Sequence, residues 1–173
     1  MKLHQVKIEF NAEHDRLLLR IATDDGKEVS LWLTRRCVRR MWPVLIDMAR
    51  SSLDIALQSS VEAKAALLGM RHEQAMREAD FSRPYDEARR ERPLGSEPML
   101  VARIQTRRVE SANHVLSLLP TAGPGVNITL DDGLLHSFCR LLQNAVAKAE
   151  WDFALTLPHA MIPDSGGEIP TIN

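Results

Sequence analysis

Apolar and polar residues alternate from the start of the chain. Val6, Ile8 and Phe10 are separated by Lys7 and Glu9, the two-residue period of a strand with one buried face. Polar residues 11–15 then supply a turn. A second strand is expected over Arg16–Thr23, with Leu17, Leu19 and Ile21 on one side. Asp24-Asp25-Gly26 forms the next turn, its glycine suited to positive φ, and Val29, Leu31 and Leu33 carry a third strand. Short turns between consecutive strands predict an antiparallel meander.

The period then changes. Thr34 can accept a hydrogen bond from the first turn of a helix beginning at Arg35. Val38, Met41, Leu45, Met48, Ser52 and Ile55 recur every three or four residues and make an apolar stripe. Pro43 lacks an amide hydrogen and should kink or restart this helix unless it lies within the first turns. The pattern resumes through Leu57, Val61, Ala65 and Leu68, with Gly69 as a candidate interruption, and fades toward Ala79. Residues 80–98 hold Pro84, Pro93, Gly95 and Pro98 among many charges, and read as a linker or mobile connection.

Beyond it the same order returns. Strands are expected over 99–107, where Leu100 or Val101 leads to Ile104, over 115–119, ended by Pro120, and over 126–130. Gly123-Pro124-Gly125 supplies a turn. Asp131 or Asp132 caps a helix whose stripe runs Leu134, Leu135, Phe138, Leu141, Leu142, Ala145, Val146 and Ala149. Residues 157–173, with three prolines and Gly166-Gly167, are expected to form a flexible tail.

The two runs can be laid over each other. Val29-Ser30-Leu31-Trp32-Leu33-Thr34 aligns with Val126-Asn127-Ile128-Thr129-Leu130-Asp131, and the offset holds for Met41 with Phe138 and Leu45 with Leu142. Asp54-Ile55-Ala56-Leu57 echoes Asp152-Phe153-Ala154-Leu155 with one extra residue. The expected fold is α+β: two similar β-β-β-α halves packed as one domain, with an antiparallel sheet and two main helices. The halves are 1–79, with an extended helix, and 99–156, joined by the connection 80–98 and followed by the tail 157–173. In this order of elements the chain resembles the Whirly, Pur-repeat and positive-cofactor-four-like families. That resemblance implies a shared sheet that binds single-stranded nucleic acid, and it rests on topology without a family motif.

Composition narrows the roles. A formal net charge of −1 over 173 residues argues against a wholly basic nucleic-acid binder but leaves room for a basic face. Aromatics make up only 5%, few for stacking bases. Cys37 and Cys139 stand alone in apolar helical patterns and read as buried, reduced thiols. No apolar run approaches the ~20 residues of a membrane span, and the N-terminus has no signal-peptide pattern. A soluble, cytoplasmic protein is expected.

Candidate contact residues are few. Arg35, Arg36, Arg39 and Arg40 fall side by side in the first turns of a helix, where the dipole disfavours cations. They fit contacts with phosphates or an acidic partner, or else ion pairs with Glu28 or Asp24. Trp32 is out of phase with Leu31 and Leu33 and so points to the opposite sheet face, where Arg20 and Arg103 could flank it, with Arg107 and Arg108 near in sequence. None of the six histidines, His4, His14, His72, His114, His136 and His159, has a metal-site spacing. Asp24-Asp25 and Asp131-Asp132 belong to turns and caps, Gly123-Pro124-Gly125 lacks the features of a phosphate loop, and no nucleophile motif is present. No catalytic residue, metal or cofactor is expected. The expected role is a non-enzymatic interaction or regulatory module, dimeric, meeting a protein partner through its sheet face or arginines. The alternative is single-stranded nucleic-acid binding through the same features.

Overall fold

The computed structural model describes residues 3–87, 90–109 and 113–158. His159 and most of the expected tail, 159–173, lie outside the described residues. The order is β1 (Leu3–Asn11), β2 (Arg16–Thr23), β3 (Glu28–Leu33), α1 (Arg35–Arg50), α2 (Leu53–Ala56), α3 (Val61–Glu78), β4 (Met99–Leu100), β5 (Arg103–Arg108), β6 (His114–Leu119), β7 (Val126–Leu130) and α4 (Asp132–Ala149). The fold is α+β. Both halves carry three strands followed by a helix.

Period-two patterning sets the first meander. Leu17, Leu19, Ile21, Leu31 and Leu33 are fully buried on one face, and Val6, Ile8 and Phe10 pack against the same core from β1. Gly26 closes the β2–β3 turn at φ +75°, as its position predicts. Thr34 Oγ1 accepts from the Cys37 amide at 3.1 Å, and the Asp131 carboxylate accepts from the Leu134 amide at 2.8 Å. Two strand-cap-helix units therefore stand where the two hydrophobic patterns meet. Cys37 and Cys139 are both buried and unlinked, and burial pushes their thiols up to about 11 and about 12.

Residues 99–108 join the halves. The Val101 amide donates to Trp32 O at 3.0 Å and the Ala102 amide donates to Leu119 O at 2.8 Å. Neighbouring amides of a strand point to opposite edges, so this segment has β3 on one side and β6 on the other. The result is a sheet β1-β2-β3-β4 and a sheet β5-β6-β7 hinged on one stretch of chain. Val101 and Ile104 both face the core, so the alternation slips by one residue across Ala102–Arg103, a bulge opposite Leu119. The sheets are antiparallel, as expected, apart from one short pairing: β3 and β4 run parallel, with Leu31 opposite Met99.

The helices are exchanged. α1, leaving β3, lies beside β5 of the second half, and α4, leaving β7, lies along β1 of the first. Leu45, Val38 and Met41 meet Phe138, Leu142 and Leu135 in one core. The single extended helix expected after residue 34 is instead three pieces, so there are three long helices and not two. Pro43 is accommodated inside α1, and the breaks fall at serines. Ser51 Oγ donates to Met48 O, Ser52 Oγ donates to Ala49 O, and Ser60 caps α3 through the Ala63 amide. Such local hydroxyl bonds compete with continued helix. As a consequence Leu57 and Val61, expected in the buried stripe, are 74% and 76% exposed.

The connection 80–98 is irregular, as its prolines require, yet it is laid against the first sheet. Glu28, 2% exposed, receives Tyr85 Oη at 2.8 Å, Arg20 at 3.0 Å and Arg92 at 3.2 Å. Arg20 also stacks on the Tyr85 ring, 4.6 Å from its centre. The Glu28 amide donates to Glu91 O at 2.8 Å, which extends the β2–β3 turn into this strap. Burial alone would raise the Glu28 pKa; bonds from Tyr85 and Arg20 outweigh it and hold the carboxyl below the usual 4.5.

Two substitutions test these joints. Gly125→Ala would set a Cβ 2.6 Å from Leu118 O, and the repacking should cost about 1–3 kcal/mol by urea denaturation. Glu28→Ala leaves its arginines and Tyr85 uncompensated; we expect a loss on the order of 3 kcal/mol and faster proteolysis within 80–98.

Candidate functional site

Where α1 passes the edge of β5, a groove of about 650 Å³ opens, walled by Arg36, Cys37, Arg40 and Val44 on the helix and by residues 101–105 on the strand. At Val44 it runs on into a smaller hollow of about 320 Å³, where Asp47 and Ser51 of α1 face Thr106, Arg108 and His114. The groove exists because β3 ends at Leu33 while β5 continues. β4 runs parallel to β3, so past the bulge the strand loses its neighbour on that side and the helix takes the space. Among the described residues β5 pairs with β6 alone, which makes it the edge of its sheet.

The edge carries unpaired backbone. The Val109 amide donates to Asn113 O at 2.9 Å, which sets the phase of the β5–β6 ladder. In that phase Arg103, Gln105 and Arg107 turn their amides and carbonyls toward β6, while Ile104, Thr106 and Arg108 turn theirs toward the groove. Apart from Ile104, which is half-buried, the residues of β5 are exposed.

The arginine quartet separates into two rows. Arg35 reaches Asp15 at 2.7 Å and Asp152 at 3.8 Å, and lies over the Trp151 ring. Asp15 in turn accepts from Trp151 Nε1 at 2.7 Å, and that bond, followed by Arg35, holds its carboxyl below the usual value. Arg39 lies over the Phe153 ring, 5.5 Å from its centre. These two therefore anchor the segment after α4. Arg36 and Arg40 line the groove with Arg103, whose guanidinium donates to Pro120 O at 3.5 Å. Arg36 and Arg40 also border a hollow shared with Arg35, Arg39 and Asp152. Among the described residues no carboxylate lies within ion-pairing distance of Arg36, Arg40 or Arg103. The pairing expected with Glu28 or Asp24 is not formed by the quartet: Glu28 is taken by Arg20 and Arg92, and Asp24 meets His4.

The sheet face expected around Trp32 is arranged differently as well. Trp32 packs its ring on His14, with centres 5.0 Å apart, and lies on the face opposite the core. Arg20 does not flank it, because Glu28, Glu87 and Tyr85 hold that guanidinium. Arg103 sits at the groove, and Arg107 is exposed farther along β5. Trp32 and the arginines of the groove thus do not form one surface.

Two polar clusters escaped the sequence. Ser51 Oγ gives its proton to Met48 O at 2.7 Å, so toward His114 Nε2, 3.1 Å away, it acts as an acceptor. A serine used this way is not primed for attack. Deeper, His72 of α3 and His136 of α4 set their Nδ1 atoms 3.2 Å apart, and both rings are buried. The neutral pair can share one proton across that gap. Placing the single hydrogen of neutral His136 on Nε2 aims it at Asp132, 3.8 Å away, and leaves His136 Nδ1 to accept from His72 Nδ1. This is the more favourable tautomer for an Nε2 that has no hydrogen-bond partner. Arg71 approaches Asp132 at 3.7 Å and bonds Asp54. Among the described residues no group of three or more potential ligands surrounds the pair. The only sequence signal for the Glu28 site was Tyr85, the single tyrosine of the chain, standing in a charged stretch.

Comparison of the chain with models of known families, with curated proteins and with solved structures gives no match. No helix among the described residues is long and apolar enough to cross a membrane.

The histidine pair makes the docking of α3 sensitive to acid. Burial, then His136 and Arg140, push the His72 pKa down from 6.5 to about 4, against a small opposing pull from Glu73. Burial also lowers that of His136, with Arg71 adding to it and Asp132 opposing. A histidine depressed in the folded state binds protons better once released. Its contribution is intact above pH 6.5 and lost as pH falls toward 4. Amide exchange in α3, corrected for intrinsic rates, should accelerate between pH 6.5 and 5, and His72→Leu should flatten the profile. Equal protection at both pH values would contradict the assignment.

Proposed function

We propose that this protein is a non-enzymatic interaction module that holds an acidic stretch of a partner protein in the α1–β5 groove. The observation that carries this reading is that Arg36 and Arg40 on the helix and Arg103 on the strand line one cleft without forming an ion pair with any carboxylate among the described residues. Such guanidiniums suit carboxylates, which they can grip with paired bonds. Their position in the first turns of α1 supports the same reading. Cations there face the positive end of the helix, an arrangement that an incoming anion relieves.

Single-stranded nucleic acid is the competing occupant of a cationic cleft. It is the weaker reading because sequence-tolerant binding of single strands relies on aromatic platforms. Among the described residues no phenylalanine, tyrosine or tryptophan lines the groove, whose one imidazole, His114, is held by Ser51. Trp32, the residue best suited to stack a base, lies on another surface against His14.

Fluorescence anisotropy with two probes tests the choice: a short labelled glutamate–threonine peptide built of Glu-Glu-Thr-Thr repeats, which carries carboxylates on both sides of an extended chain, and an oligothymidylate of similar length. The peptide should bind, and Arg36→Glu with Arg40→Glu should weaken it by at least ~10-fold. Tighter binding of the oligonucleotide, lost on Trp32→Ala, would overturn the proposal in favour of nucleic acid.

A further inference from the structure

The groove has a strand edge for one wall, and this narrows what can fill it. Resting on the reading of the cleft as a site for an acidic partner, we infer that the partner enters as an extended peptide and adds a strand to the free edge of β5. Ile104, Thr106 and Arg108 present amides and carbonyls toward the groove, on alternate residues of a strand paired only on its far side. A chain laid there would continue the ladder, taking affinity from main-chain bonds and selectivity from its side chains. A six-residue edge spans ~20 Å, enough for several ladder bonds.

Charge defines the peptide. Side chains alternate across a strand, so an added peptide offers one row to α1 and one to the opposite side. The row facing the helix meets Arg36, Arg40 and Arg108, and the other meets Arg103 and Arg107. Both rows are cationic, so the fitting partner carries carboxylates on both faces. Asp47, beside Arg108 in the smaller hollow, is paired with Arg50 at 3.9 Å.

A second copy of this chain is a poorer occupant. Pairing β5 with itself would bring Arg103, Arg107 and Arg108 of one copy beside those of the other, and like charges on adjacent strands repel. The molecule also shows how it treats another edge strand, β1. The counterpart groove, between β1 and α4, has residues 79–85 along it, tied to β1 where Gln5 accepts from the Asp86 amide at 3.0 Å. At β5 no described segment of the chain plays that part.

Main-chain pairing is separable from charge. The probe is the glutamate–threonine peptide and a version N-methylated on every second residue, which keeps all carboxylates and removes the amide hydrogens of one edge. Two N-methylated versions, one for each edge, cover both orientations. One of them should bind at least ~10-fold more weakly while the other binds as the parent does. On the protein, Thr106→Pro removes an amide that faces away from β6, a change an edge strand tolerates, and should weaken the parent peptide similarly. A Thr106→Pro protein that keeps its melting temperature and binds the peptide unchanged would overturn strand addition. So would equal binding of both N-methylated versions. In either case the groove remains an acidic-partner site. If the parent peptide itself fails to bind at low salt, the underlying reading falls, and strand addition with it. Association of the protein with itself, seen by light scattering and abolished by Thr106→Pro, would assign the edge to a second copy and likewise overturn the inference.

Discussion

Two adjacent amides organise this molecule. Val101 and Ala102 point in opposite directions along the same stretch of backbone, one to Trp32 and the other to Leu119, and so a single segment closes both sheets. Everything that defines the candidate site follows from that shared segment. Because it serves β3 only over its first residues, the remainder is left with a bare edge, and α1 is directed into the vacated place. A fold with two independent sheets would have no such edge beside a helix N-terminus. A fully continuous sheet would have buried it.

Charge is distributed to match. Over the first sheet, cations and anions are matched closely: Glu28, Arg20, Glu87 and Lys7 link to one another, and Tyr85 completes the cluster. Near the C-terminal end of the described chain, Arg35 and Arg39 are spent on Asp15, Trp151 and Phe153. Among the described residues Arg36, Arg40, Arg103, Arg107 and Arg108 form no ion pair, and these five lie along β5 and the adjoining face of α1. A chain that is nearly neutral overall, at −1, therefore still carries a locally cationic cleft. Net charge was a poor guide here because it averages over these regions.

Much of the scaffold was legible from residue order. β2, β3 and β7 follow directly from alternation, and Thr34 and Asp131 mark their helices because a capping side chain is a local device. What escaped depends on residues distant in the chain. The parallel pairing of β4 with β3 leaves no trace in alternation, and the docking of 80–98 rests on Tyr85 finding Glu28. A kink or restart is expected at Pro43, yet α1 runs through it and ends where serines bond back to the backbone, since a proline can sit in a helix whose neighbours tolerate one missing bond. The arginine quartet shows the same limit. Helical spacing placed four cations together but could not reveal that Asp15 and Phe153 would claim one row and leave the other. His72 and His136 lie on different helices, so no spacing rule could pair them.

The exchanged helices also bear on how the chain is made. On a ribosome the first three strands and α1 emerge before the segment that completes them, and Leu31 must wait for Met99, roughly 70 residues later. Until then the outer edge of β3 and the apolar flank of α1, with Val38, Met41 and Leu45, have no cover from the second half. β1 likewise waits for α4, which arrives last of all. The nascent chain thus passes through a stage with open strand edges and bare apolar surface, the state most prone to wrong pairing and the one that chaperones recognise. Speed of synthesis through residues 80–130, more than the stability of the finished fold, would then govern how much protein is recovered.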